Sequence, residues 1–228
     1  MADGVLDCSN RKLVSIPDDI PSHVSSVNLF GNLIEQINRG SFGNLSKLNI
    51  LFLSSNQINY VEDGSFIHLC ALTQLYMDSN KLTDLTGKLF QGLSNLTMLD
   101  LSENSIQFIH TSAFQFLSSL QTVRLDSNNL QQVSDLLPIL QLPNIQKLSI
   151  RHTPFSSFET KDLPLNVSSS LKVLDLYNSK LEKFSITTDI FPYLEIINFT
   201  GSGMDSGLKW DVPDKTLLRN ITQLPGEP

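Results

Sequence analysis

Apolar residues return along this chain in a fixed frame. With Val24 as position 1, they occupy positions 1, 4, 6, 11, 14, 19 and 22, with Asn at position 9. The first unit reads Val24, Val27, Leu29, Asn32, Ile34, Ile37, Phe42 and Leu45. The frame restarts at Leu48, Leu72 and Leu96, a spacing of 24 residues, and these units fill every slot. A fifth unit starts at Leu120 and runs long through Pro138 and Pro143. Further units begin at Ile145, Leu171 and Leu194, where Thr153, Ser179 and Ser202 stand in place of Asn.

This is the leucine-rich-repeat pattern L-x-x-L-x-L-x-x-N-x-L, with a period inside the expected range. Positions 1 to 8 predict a short strand in which 4 and 6 point inward while 3, 5 and 7 face out. Each strand pairs with its copy in the next unit. The expected fold is an α/β leucine-rich-repeat solenoid, a curved horseshoe with a parallel β-sheet on its concave face and loops and short 3-10 turns on its convex face. Eight rungs at about 4.8 Å each give a slab about 40 Å long. The Asn side chains are expected to form a ladder to the backbone of neighbouring units, and Thr153, Ser179 and Ser202 a less regular one. Phe42, Phe66, Phe90 and Phe114 predict an aromatic spine on the opposite wall.

Composition sets the outer bounds. Of 228 residues, 40% are hydrophobic and 17% charged, which excludes a disordered tail and a membrane bundle. The net charge of −7 argues against a wide basic groove for phosphate backbones. No long apolar run and no secretion signal at Met1–Gly4 are present, so the chain itself is expected to be soluble. Cys8 and Cys70 match no zinc spacing, and their separation of about two rungs, roughly 10 Å, exceeds the reach of a disulfide. Two free thiols and an N-terminus shortened within a cap both remain open.

Outward-facing positions supply the candidate ligand-binding residues. Phe30, Phe52 and Tyr76 are exposed aromatics on a rigid sheet, suited either to anchoring a partner or to stacking on one another. Arg124, Lys147, Arg151, His152 and Lys172, with Tyr177 beside them, form a basic cluster suited to phosphate or carboxylate, which Asp126 and Asp175 could neutralise. His23, His68, His110 and His152 occupy different repeat positions and form no stripe. Gly201, Gly203 and Gly207 have the wrong spacing for a phosphate loop. No catalytic, cofactor or metal motif occurs, so neither an enzyme nor a small-molecule substrate is expected.

Five N-x-[ST] sequons, at Asn44, Asn95, Asn166, Asn198 and Asn220, are candidate glycosylation sites. Asn198 alone falls at an outward strand position, where a sugar would obstruct that end of the concave sheet.

Residues Val5 to Pro21 look like the closing part of an N-terminal cap of extracellular leucine-rich-repeat proteins. Three segments are therefore expected: a partial cap at 1–23, about eight repeats at 24–202, and the remainder of the last repeat at 203–228, cut from a longer protein. The chain resembles the N-terminal part of a Toll-like receptor ectodomain. Leu13–Pro21, Leu89–Thr97, Ser157–Asn166 and Leu171–Leu194 look like the branch containing the fish receptors for double-stranded RNA. In that family Cys8 would pair with a cysteine just upstream, and this sequence has none. The resemblance implies a pattern-recognition receptor of innate immunity, on the extracellular or endosomal lumenal side of a single-pass membrane protein. It also implies a microbial ligand, double-stranded RNA among the candidates, and a receptor homodimer in the intact protein. The alternative is an extracellular adhesion or matrix protein that binds another protein through Phe30, Phe52 and Tyr76.

Overall fold

A computed structural model describes residues 4–43, 45–164 and 166–201. Among the described residues the concave sheet is parallel throughout and has nine strands: β1 (Val5–Asp7), β2 (Ser26–Asn28), β4 (Ile50–Phe52), β6 (Gln74–Tyr76), β8 (Met98–Asp100), β10 (Thr122–Arg124), β11 (Lys147–Ser149), β13 (Val173–Asp175) and β15 (Ile196–Asn198). The segment before Val24 thus contributes a strand of its own, β1, beyond the eight rungs expected. Each strand pairs with the next in one unbroken order, and the inward residues stay in step: Val27 sits opposite Leu51, Leu51 opposite Leu75 and Leu75 opposite Leu99.

The convex side differs from a run of loops and 3-10 turns. It also carries two-stranded parallel pairs: β3 (Gln36–Ile37) with β5 (Tyr60–Val61), β7 (Asp84–Leu85) with β9 (Phe108–Ile109), and β12 (Ser157–Glu159) with β14 (Lys183–Ser185). Ile37, Val61, Leu85 and Ile109 occupy position 14 and are buried. Burying that side chain flattens the chain into an extended step that can pair with its neighbour. Among the described residues helix is scarce, confined to 3-10 turns at Val133–Leu136 and Thr160–Asp162 and one α-helical turn at Leu137–Leu140. The Leu137–Leu140 turn carries the extra length of the fifth unit, with Pro138 at its start, where the missing N–H costs nothing.

Unit length varies, yet the sheet does not slip. Partners are 24 residues apart at Ser26 and Ile50, 25 at Thr122 and Lys147, 26 at Lys147 and Val173, and 23 at Val173 and Ile196. The convex arc absorbs each difference.

One continuous core fills the coil. Val27, Leu29, Leu51, Leu53, Leu75, Met77, Leu99 and Leu101 are fully buried, each contributing about 1.5–3 kcal/mol by leaving water. Phe42 stacks on Phe66 with ring centroids 5.8 Å apart, and Phe90 meets Phe114 at 5.6 Å. A second aromatic cluster continues the wall further on, where Phe158 lies 5.6 Å from Phe184 and 6.5 Å from Phe191.

The Asn ladder forms as the pattern requires. Asn80 Nδ2 donates to the carbonyls of Leu53 (3.0 Å) and Met77 (3.1 Å), while its Oδ1 accepts the Ile58 N–H at 2.9 Å. Asn56, Asn104 and Asn128 repeat this set, and Asn32 ties the ladder to the first segment through Arg11, Leu13 and Cys8. Thr153 and Ser179 manage only single hydroxyl contacts to the Ile150 carbonyl and to each other. Ser202 lies outside the described residues, as does the 203–228 segment.

Candidate binding faces

Strand alternation puts positions 5 and 7 side by side on the open sheet, and their chemistry changes along the array. Near the N-terminal end the side chains are aromatic. Phe52 and Tyr76 are directly paired in register and stack with centroids 4.9 Å apart and planes 10° from parallel. Phe30 is 42% exposed beside them.

From Asp78 onward the face becomes an alternating belt of charge. Ser54 Oγ donates to Asp78 at 2.6 Å. Arg124 bridges Asp100 (3.1 Å) and Asp126 (3.2 Å). Asp126 also accepts from the Ser149 hydroxyl and the Arg151 N–H. Arg151 in turn holds Asp175 of the next rung and lies 5.8 Å from the Tyr177 ring centre. Asp100, Asp126 and Asp175 are all buried. Burial pushes the Asp100 carboxyl above its ordinary value, against the opposing pull of Ser102 and Arg124. Burial pulls the Arg124 guanidinium down, but Asp100 and Asp126 outweigh it and hold the guanidinium above its ordinary value.

The expected basic cluster is therefore divided. Arg124 and Arg151 are committed to buried carboxylates, so neither stands as a bare cation for phosphate. Lys147 is exposed on β11, and Lys172 is exposed with Glu195 3.8 Å away. His152 stands apart from the belt on the rim, edge-on to Tyr177 at 5.5 Å and within 3.0 Å of the Asn178 amide.

That rim has a regularity the sequence pattern did not reveal. Position 8 is left-handed in every described unit: Gly31, Ser55, Ser79, Glu103, Ser127, His152, Asn178 and Gly201 have φ between 52° and 76°. Each up to Asn178 sends its N–H to a carbonyl of the following rung, as Ser79 does to Ser102 at 2.9 Å and His152 to Tyr177 at 3.0 Å. Residues with nothing else in common share one backbone requirement. The signal lay in the fixed distance from Asn, not in residue type.

The ladder breaks next to His152. In a regular rung, position 11 bonds twice to the next unit: the Ile106 N–H reaches Asn128 Oδ1 at 2.9 Å, and its carbonyl accepts the Asn129 N–H at 2.8 Å. At Leu130 the next unit offers Thr153, whose hydroxyl donates to Ile150, and Pro154, which has no N–H. Leu130 consequently has no main-chain hydrogen-bond partner among the described residues, nor has Phe155 one rung on. A groove of about 440 Å³ lies on the adjoining rim, lined by Asn129, His152, Thr153, Pro154, Asn178 and Lys180 among others; Leu130, fully buried, is not among its walls.

The remaining candidates fall elsewhere. His110 Nδ1 faces the Ser112 hydroxyl at 2.9 Å, away from the concave sheet. Asn95 and Asn166 are exposed, whereas Asn44 and Asn220 lie outside the described residues. Asn198 lies beside Asp175 at position 5 of the concave sheet and is 7% exposed; its Oδ1 accepts the Thr200 N–H and hydroxyl, as the Asp100 and Asp175 carboxylates accept the Ser102 and Tyr177 N–H groups. Cys8 is buried and Cys70 exposed, both as free thiols. Among the described residues no cluster of His, Cys, Asp and Glu could hold a metal ion, and no helix is long and apolar enough to cross a membrane.

Residues 22–82 and 71–130 match the family model for the leucine rich repeat. No curated protein sequence matches the chain. Among solved structures it is similar to TLR13 in the crystal structure of the TLR13–ssRNA13 complex, with 26% identity and a TM-score of 0.77 over 94% of this chain and 33% of that one. This chain thus spans about a third of its relative's length. It is also similar to human 5T4 (Wnt-activated inhibitory factor 1, trophoblast glycoprotein), with 23% identity and a TM-score of 0.70 over 90% of this chain and 77% of that one. The second likeness is one of fold alone. With the register, the amide ladder and the matched repeats together, the chain is a leucine-rich-repeat solenoid.

Proposed function

We propose that this chain is a ligand-binding segment of a Toll-like pattern-recognition receptor ectodomain, and that it engages microbial RNA. The observation that carries this reading is the backbone agreement with TLR13, a protein whose structure was determined as a complex with single-stranded RNA. The fish double-stranded-RNA branch suggested by Ser157–Asn166 and Leu171–Leu194 is part of the same proposal, as are a membrane-anchored, glycosylated receptor and its homodimer. The charge belt narrows where RNA would sit. Lys147 and Lys172 on the sheet, and His152 with Lys180 on the rim, are basic groups free of buried carboxylates; the centre of the concave face is dominated by Asp100, Asp126 and Asp175.

The test is RNA affinity as a function of salt and acidity. Phosphate contacts make binding fall with added salt, and histidine charging makes it rise between about pH 7.5 and about pH 5.5. Charge reversal at Lys172 should weaken it. Affinity indifferent to salt, pH and Lys172→Glu would sink the RNA reading.

One observation favours a second reading, an extracellular protein-binding module. The Phe52–Tyr76 stack with exposed Phe30 beside it is the kind of rigid aromatic patch that anchors protein interfaces. The sequence downstream separates the two: a membrane span followed by a signalling domain belongs to the receptor.

A further inference from the structure

We propose that the aromatic end of the concave sheet docks a basic protein segment, which lays an apolar side chain on Phe30 and Phe52 and a lysine or arginine on the free face of Tyr76, beside Asp78. The proposal goes beyond the RNA reading, whose lysines stand further along the sheet, and rests on the aromatic patch being a protein-binding surface.

The ring stack sets the geometry. Phe52 and Tyr76 lie 4.9 Å apart and nearly parallel, a separation equal to that of neighbouring strands, so the stack runs along the sheet. Phe52 covers one face of Tyr76. The other face looks toward β8, where the register supplies Asp100 in place of a third ring. Tyr76 is half-buried, so its ring is within reach of a ligand, and an aromatic face attracts a cation set over it.

Charge selects the occupant. The outward positions of the third, fourth and fifth units carry three carboxylates, Asp78, Asp100 and Asp126, against one guanidinium, Arg124. Arg124 is already shared between Asp100 and Asp126. Asp78 holds only the Ser54 hydroxyl and has no ion pair among the described residues. It is half-buried and lies two residues from Tyr76 on the same face, so a cation over the ring meets it directly; Asp100 is buried and acts there through its field alone. Repulsion from Asp78 is one of the influences that raise the Asp100 carboxyl, and a cation at this place relieves it. A phosphate is repelled for the same reason. A simple polyamine satisfies the carboxylates but leaves Phe30 and Phe52 in water. A protein segment covers both, because Phe30 and Asp78 stand only two rungs apart, about 10 Å.

The experiment pans a random peptide library on the full chain and measures the affinity of enriched peptides by fluorescence anisotropy, with spermine as competitor. Enriched sequences should join an aromatic or aliphatic residue to lysine or arginine and should outbind spermine. Asp78→Asn should weaken them about fivefold and Tyr76→Ala about tenfold, while Tyr76→Phe, which keeps the ring, should bind as before. Lys172→Glu should leave peptide affinity unchanged, so the RNA reading stands or falls on that variant separately. No enriched sequence, enrichment of acidic sequences, displacement by an equal concentration of spermine, or affinity unmoved by Asp78→Asn and Tyr76→Ala would each overturn the proposal. Purely apolar sequences that need Tyr76 but not Asp78 would overturn the basic partner and leave the patch a protein-binding surface.

Discussion

Arg151 grips the carboxylate of Asp175 across the gap between two rungs, with Nε at 2.7 Å and a terminal nitrogen at 2.5 Å from the same oxygen. Asp175 is 3% exposed, so this contact belongs to the framework before it belongs to any ligand site. Replacing Arg151 with Ala strands a buried charge and should cost about 2 kcal/mol of stability, with little change in RNA affinity. Urea denaturation beside a binding titration checks both halves. Loss of RNA binding at undiminished stability would return Arg151 to the ligand surface.

Asn80→Ala removes the bonds its Nδ2 donates to Leu53, Met77 and Asp78 and the one its Oδ1 accepts from Ile58, leaving the buried Ile58 N–H with no replacement. The expected loss is about 3 kcal/mol, against about 1 kcal/mol for Ser179→Ala, which breaks only the hydroxyl contacts to the Ile150 carbonyl and to Thr153. Denaturation midpoints of the two variants decide it, and equal losses would show that the amide adds nothing over a hydroxyl.

Asp100 gives stability a definite dependence on acidity. Its carboxyl is raised above the ordinary value of 3.8, chiefly by burial, so the folded state holds the proton more tightly than the unfolded chain does. Stability then falls as pH rises from that ordinary value through the folded one, and is highest on the acid side of that window for this group. Asp100→Asn should flatten this part of the profile, and an unaltered slope in denaturant titrations at stepped pH would clear Asp100 of the effect.

Glycine at position 92 should resist replacement where Gly40 does not. Both are left-handed, at φ 101° and 92°, but a methyl group on Gly92 would lie 2.6 Å from the Ile67 Cα and 2.8 Å from its carbonyl oxygen, while one on Gly40 meets nothing. Gly40→Ala should cost about 1 kcal/mol for backbone strain alone, and Gly92→Ala at least twice that because main chain must move. Thermal melts of the pair test the difference.

Much of the fold could be read from residue order because the apolar frame at Val27, Leu51, Leu75 and Leu99 fixes both the strand and its register. The ladder was legible for the same reason: an amide at one recurring site has the same carbonyls within reach in every unit. The convex pairs were not, since two residues such as Gln36–Ile37 are too short to show alternation. Nor was the division of the basic cluster. Sequence placed Arg124 and Arg151 near Asp126 and Asp175, but whether a cation serves a ligand or a neighbour depends on how deeply the carboxylate is tucked, as Asp100 at 4% exposure illustrates. The break in the ladder follows from Thr153 and Pro154 replacing two bonding groups at once. That reading requires knowing that positions 9 and 10 both serve the preceding rung.

Partner spacings that range from 21 to 26 residues while every inward side chain keeps its opposite number make the outer arc an expansion joint. Length can be gained or shed there, one coil at a time, without a shear passing down the stack. A tag or cleavage sequence spliced into the long fifth arc near Pro143 would ride outside the coil, leaving the aromatic and charged ends of the inner face at their original separation.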